Sequence, residues 1–195
     1  MKTILLKGPV LTRSGYGEQA RFALRSLASR PDLYDIYIAP TGWGKTSWVF
    51  ENNVERQWID DLINKTSKFL SEGKRFDLSL QVTIPNEWER IAPVNIGYTA
   101  GIETTKVAPE WIEKANIMDK IVVVSNHSKN VFEDTAYMLQ NEKKETTNFV
   151  CNTAIEVVNY PVKKYASADL NLDLPYDFNF LCLAQWGPRK NVKNT

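Results

Sequence analysis

Apolar runs that alternate with amphipathic segments constrain the fold of this chain more than any other feature. KTILLKG at 2–8 and YDIYIAP at 34–40 are short apolar runs ending at Gly or Pro, as is typical of strands covered on both faces. Between them, YGEQARFALRSLASR at 16–30 places alanines and leucines at helical spacing on one face. This alternation predicts an α/β fold with a doubly wound, parallel, Rossmann-like sheet.

The same alternation continues to about residue 165. We predict further helices at 54–74, 108–119 and 127–140, the last capped by Ser125 or Asn126, and further strands at 76–84, 94–100, 120–125 and 154–162. The polar stretch 141–148 is interpreted as a surface insertion. These elements predict three parts: one domain over 1–165, a linker over 166–177, and the truncated first strand of a second Rossmann-like domain over 178–195.

Composition narrows the classes of protein that remain. The formal net charge of the 195 residues is +1, which argues against a nucleic-acid partner. No apolar run approaches the about 20 residues of a membrane span, and MKTILLKGPV is too short in apolar length for a signal peptide. Cys151 and Cys182 lack metal spacing and are interpreted as buried free thiols. A cytoplasmic location is expected.

APTGWGKT, from Ala39 to Thr46, has the spacing of a phosphate-binding P-loop. Such a loop needs a helix directly after it, because the helix N-terminus completes the anion site. The residues that follow, SWVFENN, are poor formers of a first helical turn. No apolar strand ending in Asp is present to hold a metal ion. We therefore favour a surface loop with Gly42 and Gly44 as turn residues over a P-loop.

A second glycine-bearing loop, GPVLTRSGYGEQAR at 8–21, follows the first strand. Gly15 and Gly17 lie at the N-terminus of the predicted helix, where a phosphate or a sugar hydroxyl can approach the backbone and the helix dipole favours negative charge. We expect a side chain at either position to occupy the space of that ligand. The loop lacks the third glycine of a dinucleotide fingerprint.

The stretch GYTAGIETTKVAPEWIEKANIMDKIVVVSNHSKNVFEDT at 97–135 resembles a segment of the GT-B glycosyltransferases, specifically the retaining family-four-like enzymes. Nine residues carry this resemblance in order and spacing: Glu103, Thr104, Pro109, Trp111, Asp119, Ser125, Ser128, Lys129 and Phe132. VVNYPV at 157–162 is similar to the strand that leads to the family's interdomain linker. FNFLCLAQWGPRKNVKNT at 178–195 is similar to the start of its donor-binding domain.

The resemblance implies two Rossmann-like domains that face each other across a cleft. The first would hold the acceptor, which is a carbohydrate, a lipid-linked molecule or another hydroxyl compound. The second would hold a nucleotide-diphosphate sugar, and transfer would retain the anomeric configuration, usually without a metal ion.

The resemblance also suggests roles for individual residues. Lys190 matches the family's diphosphate-binding lysine, whereas Gln185 stands where the family usually has arginine, and Arg189 is the candidate to replace that charge. The glycine loop with Gly15, Tyr16 and Gly17 would contact the donor diphosphate or the acceptor. The catalytic candidates are Thr99 and Glu103, and the acceptor-side candidates are Tyr98 and Thr104.

A complete enzyme of this kind would need a second domain, so the chain is expected to be a fragment that transfers no sugar on its own. Two alternatives remain open. One is a non-catalytic carbohydrate- or nucleotide-binding Rossmann-like module, and the other is a P-loop NTPase that uses Ala39–Thr46.

Overall fold

A computed structural model gives the fold of the chain and describes residues 1–140, 146–162, 164, 166–183 and 191–194. The chain forms two compact units, Met1–Pro161 and Val162–Thr195. The strands of the first unit are β1 (Lys2–Gly8), β2 (Tyr34–Pro40), β3 (Leu78–Val82), β4 (Val94–Thr99), β5 (Lys120–Val123), β6 (Ala136–Gln140), β7 (Thr146–Val150) and β8 (Ile155–Val157). Its helices are α1 (Gly15–Ala28), α2 (Val54–Ser71), α3 (Pro109–Ala115) and α4 (Asn126–Asp134), with a short 3-10 turn at Pro85–Glu87.

Six strands form a parallel sheet in the order β2-β1-β3-β4-β5-β8. One face packs on α1, where Ala20 and Leu24 are fully buried together with Leu6 of β1. The opposite face packs on α3 and α4, where Ile112 and Phe132 are fully buried in one cluster with strand β5. The prediction of an α/β fold is therefore confirmed, and the parallel sheet with flanking helices is consistent with a Rossmann-like fold.

Helix α2 protects the free edge of the sheet at β2. The backbone N–H of Ile38 donates to Thr66 Oγ1 at 2.9 Å, and the Thr66 hydroxyl donates in turn to Leu62 O at 2.7 Å. Lys65 Nζ donates to Ile36 O at 3.0 Å. Since an uncovered edge strand invites pairing with another chain, these side chains block β2 from acting as such a template.

The helix predicted over 127–140 is too long. Helix α4 begins after the N-cap Ser125, as predicted, but its last residue is Asp134. Thr135 then adopts an extended backbone, and its hydroxyl donates to Val131 O at 2.6 Å. The chain continues as β6, which pairs with β7 in an antiparallel hairpin. Long-range strand pairing therefore overrides the helical pattern here.

Two neighbouring expectations also change. The predicted insertion 141–148 ends in a strand, because Thr146–Val150 forms β7, and 141–145 lie outside the described residues. The strand predicted over 154–162 is confined to β8.

In the second unit, residues 178–183 form no strand, contrary to the prediction, although Phe178 and Phe180 pack edge to face at 5.0 Å. A strand needs a paired neighbour, and none of the described residues supplies one to this segment.

Both cysteines are free, as expected, but Cys182 is exposed and Cys151 only half-buried, which corrects the expectation of burial. Within the described parts of the chain, no helix has the length and apolar character that crossing a membrane requires. The assignment of the second unit, Val162–Thr195, to a donor-binding domain remains a prediction.

Candidate functional site

The strand order places a candidate site at the carboxyl edge of the sheet. From β1 the chain moves outward to β2, and it then returns to place β3 on the other side of β1. Open α/β sheets bind ligands at the carboxyl ends of the strands beside such a reversal. The loops after β1, β3 and β4 are therefore the segments that matter most.

The loop after β1 is held tightly against the start of α1. Ser14 is the N-cap, and its hydroxyl oxygen accepts a hydrogen bond from the backbone N–H of Gly17 at 2.9 Å. Thr12 is fully buried, and its hydroxyl lies 2.8 Å from Ser14 Oγ. A Cβ atom on Gly17 would meet Thr12 O at 2.1 Å, whereas a Cβ on Gly15 would meet no atom within 4 Å.

This geometry corrects the interpretation of Gly17. The space above its Cα is filled by the loop itself, so Gly17 is required for close packing of α1 rather than for ligand approach. Gly15 is exposed and has open space around it, as the ligand hypothesis requires.

Tyr16 joins the start of α1 to the end of β4. Its hydroxyl donates to Ala100 O at 2.8 Å, accepts from Ala100 N at 3.0 Å, and lies 2.9 Å from Thr99 Oγ1. Burial raises the pKa of Tyr16 above its ordinary value. Its ring stacks on Trp43 with centroids 4.1 Å apart. Tyr16 therefore ties together the loops that follow β1, β2 and β4.

The loop after β2 lacks the helix that a P-loop needs. No helix follows Gly44-Lys45-Thr46 directly, because α2 begins only at Val54. Gly44 has φ +48°, and Thr46 Oγ1 donates to Trp43 O, which closes a turn. The prediction of a surface loop with glycine turn residues is confirmed at Gly44, where the positive φ suits glycine.

This loop also pairs with the loop after β1. Arg13 N donates to Ser47 O at 2.8 Å, and Val49 N donates to Leu11 O at 2.8 Å. The Arg13 guanidinium forms an ion pair with Glu51. The two loops therefore form one continuous wall at the carboxyl edge.

The buried side chain of Arg21 holds the loop after β1 by its backbone carbonyl groups. Its guanidinium donates to Val10 O at 2.8 Å, to Thr12 O at 2.9 Å, and to Glu18. Burial alone would raise the pKa of Glu18, but the guanidiniums of Arg21 and Arg25 outweigh it and lower that pKa. Because Arg21 and Arg13 both have carboxylate partners, neither offers an uncommitted charge to a phosphate at this loop.

Two polar side chains near the reversal are buried, Gln19 on α1 and Thr83 directly after β3, and they are 2% and 0% exposed. Thr83 Oγ1 has no hydrogen-bond partner among the described residues. Tyr98, which pairs with Val82 in the sheet, has its pKa raised by burial, and the Gln19 side chain partly offsets that rise. Unpaired buried polar groups are rare in folded proteins and require an explanation such as a bound water or ligand.

A cleft of about 470 Å³ follows β4. We call it the Trp111 cleft, and it is lined by Gly101, Ile102, Glu103, Thr104, Lys106, Val107, Ala108 and Trp111. This volume lies in the range of small-molecule sites, which is roughly 300–1,000 Å³. The Tyr16 contact with Ala100 places the cleft next to the loop after β1.

The residues predicted for the site fall into three groups. Glu103 and Thr104 line the cleft and are exposed, and the Thr104 hydroxyl donates to Lys106 O at 2.7 Å. Thr99 is fully buried and Tyr98 is nearly so, so a ligand cannot reach the Thr99 hydroxyl without displacing Tyr16. The donor-diphosphate candidates Gln185, Arg189 and Lys190 lie outside the described residues.

Sequence reasoning missed Trp43, Gln19 and Thr83, and it gave Lys106 and Trp111 no binding role. The tryptophan of APTGWGKT was the available signal for Trp43, because an aromatic residue in a glycine loop must find a packing partner. No group of three or more His, Cys, Asp or Glu side chains is placed to hold a metal ion in the described segments.

Comparison with known proteins identifies no relative of this chain: no protein-family model, curated protein or solved structure matches it. The site is therefore interpreted from its own geometry.

Proposed function

We propose that this chain is the acceptor-side part of a GT-B glycosyltransferase that transfers a sugar from a nucleotide-diphosphate sugar with retention of the anomeric configuration. One observation carries the proposal. The glycine loop at 8–21, a candidate ligand loop, and the segment 97–111, part of the stretch that resembles the family, meet at the carboxyl edge through the Tyr16 contacts with Ala100. The Trp111 cleft opens beside this junction and offers a place for the acceptor.

The proposed reaction breaks the bond between the anomeric carbon and the diphosphate oxygen and forms a bond from that carbon to the acceptor hydroxyl oxygen. The acceptor proton leaves with the diphosphate. Lys190 and Arg189 would stabilise the charge that develops on the leaving group, which removes the need for a metal ion. Glu103, on the cleft wall, would accept a hydrogen bond from the acceptor.

A transfer assay tests this proposal. Residues 1–195, and the same chain completed with a donor-binding domain, are incubated with labelled UDP-, GDP- and ADP-sugars and a panel of saccharide acceptors. Mass spectrometry should detect a glycosylated acceptor only with the completed chain. Acceptor binding by both proteins with no product from either would instead indicate the non-catalytic binding module.

The remaining alternative has its own signature. Magnesium-dependent ATP or GTP binding that disappears in Lys45→Ala would indicate a nucleotide-hydrolysing protein and would contradict the proposal.

A further inference from the structure

We propose that the Trp111 cleft binds an uncharged saccharide ring, with the indole of Trp111 as its stacking platform. The inference rests on the proposed function, because it names the chemical class of the acceptor. Residues that line this one cleft would recognise the saccharide, and a saccharide-binding measurement tests this without a transfer assay.

The floor of the cleft is fixed by long-range hydrogen bonds. The backbone N–H of Val107 donates to Thr135 Oγ1 at 3.2 Å, and Val107 O accepts from the Tyr137 hydroxyl at 2.7 Å. Val107 itself is 3% exposed. Because Thr135, which follows α4, and Tyr137 of β6 bind the N–H and the C=O of Val107, the cleft is already formed before a ligand binds, which lowers the entropic cost of binding.

Trp111 is supported from within the core. Its ring lies 6.4 Å from the ring of Phe132, at an interplanar angle of 23°, and Phe132 is fully buried. Trp111 is only half-buried and lines the cleft, so part of the indole faces the space where a ligand would sit. The negative face of an aromatic ring attracts the slightly positive C–H groups that one side of a sugar ring presents.

The polar groups of the cleft favour a neutral ligand. Glu103 and Lys106 are both exposed on its lining, and their opposite formal charges cancel. A carboxylate accepts hydrogen bonds from hydroxyl groups and an ammonium donates to them, and both contacts are charge-assisted. A phosphate would be attracted by Lys106 but repelled by Glu103, whereas a polyhydroxylated ring can use both.

Fluorine NMR of the chain labelled with 5-fluorotryptophan tests the inference. The protein has six tryptophans, and Trp111→Phe identifies the resonance of Trp111. The probes are the methyl glycosides of glucose, galactose, mannose and N-acetylglucosamine at millimolar concentrations. At least one should shift the Trp111 resonance in a saturable manner.

Variants then test the two parts of the recognition. Calorimetric titration, which does not need the resonance that these variants lack, should show saccharide binding weakened roughly three- to tenfold in Trp111→Ala and mostly retained in Trp111→Phe. Lys106→Ala removes an exposed side chain without disturbing the core and should also weaken binding. Trp48→Phe is the matched control, because Trp48 is 46% exposed but does not line the cleft, and it should leave binding unchanged. Thermal unfolding of each variant checks that the fold is retained.

Other outcomes would overturn the inference. A Trp111 resonance that none of the four glycosides shifts, or one that responds only to UDP or inorganic phosphate, excludes a saccharide platform. The transfer assay separates this failure from failure of the proposed function. Transfer with a silent Trp111 resonance contradicts only the stacking inference, and stacking without transfer contradicts only the enzymatic proposal.

Discussion

The replacement of Gly17 by alanine gives the sharpest test of how the loop after β1 is built. A Cβ atom at this position would lie 2.1 Å from Thr12 O, 2.7 Å from Thr12 Oγ1 and 3.0 Å from Pro9 O. Two of these contacts are with backbone oxygens, which cannot rotate away as a flexible side chain would. The loop must therefore move by more than an ångström or α1 must shift.

The energetic cost follows from these contacts. Overpacking of a well-packed site typically costs about 1–3 kcal/mol. Displacement of Thr12 O also stretches its hydrogen bond from the Arg21 guanidinium, and losing a bond to a charged group costs about 1.5–3 kcal/mol. Alanine regains up to about 1 kcal/mol through its higher helix propensity. We expect a net destabilisation of about 3 kcal/mol.

Thermal unfolding measures this effect, with Gly15→Ala as the matched control. For a chain of this size, about 3 kcal/mol corresponds to a fall in Tm of roughly 6–12 °C for Gly17→Ala. Gly15→Ala should leave Tm unchanged or raise it slightly, because a Cβ there meets no neighbour within 4 Å. Equal Tm values for the two variants would refute the packing role of Gly17.

Three further predictions concern other parts of the fold. Tyr16→Phe leaves the backbone N–H and C=O of Ala100 without their hydroxyl partner. A urea titration should therefore show a loss of about 1–3 kcal/mol in the free energy of unfolding, and an unchanged midpoint would contradict this. Lys45→Ala should leave nucleotide binding in a calorimetric titration as it is in the parent chain, and magnesium-dependent binding lost in this variant would refute the surface-loop assignment. Burial and the hydrogen bond to Asp35 raise the pKa of Tyr37 from 10.0 to about 12, so the folded state favours the neutral phenol. The free energy of unfolding should therefore fall as the pH rises from 10.0 towards 12, and it should fall less in Tyr37→Phe. Identical pH profiles for the two proteins would contradict this.

The parallel sheet could be predicted from the sequence because its strands are marked locally. KTILLKG and YDIYIAP are apolar runs with clear ends, and both strands lie where the pattern places them. The start of α4 was also predictable, because the Ser125 hydroxyl oxygen accepts from the N–H of Ser128 in the ordinary capping geometry.

The hairpin of β6 and β7 was not predictable in this way. Residues 136–140 continue a plausible helical pattern. Only their pairing with Thr146–Val150 and the bond from the Tyr137 hydroxyl to Val107 O make them a strand. Such long-range contacts leave little trace in a local pattern, so tertiary structure overrides helix propensity here.

The candidate site was predictable in its location but not in its details. Strand–loop–helix order places the loops after β1 and β4 at the carboxyl edge, and both Glu103 and Thr104 line a cleft there. The close approach of Thr12 to Gly17 and the support of Trp111 by Phe132 depend on packing between distant segments. A glycine that admits a ligand and a glycine that admits a neighbouring loop look the same in a sequence.

The central claim is that a saccharide binds at the carboxyl edge of the sheet, and amide chemical-shift mapping of the isotope-labelled chain tests it most directly. A saccharide that binds should perturb the backbone amides of Gly15 and of the non-proline residues within 101–111, which lie at this edge. The amides of Thr3 and Asp77, which are tied together at the opposite edge, should not move. Perturbations confined to the Thr3 and Asp77 edge, or none at either edge with any saccharide, would contradict the account.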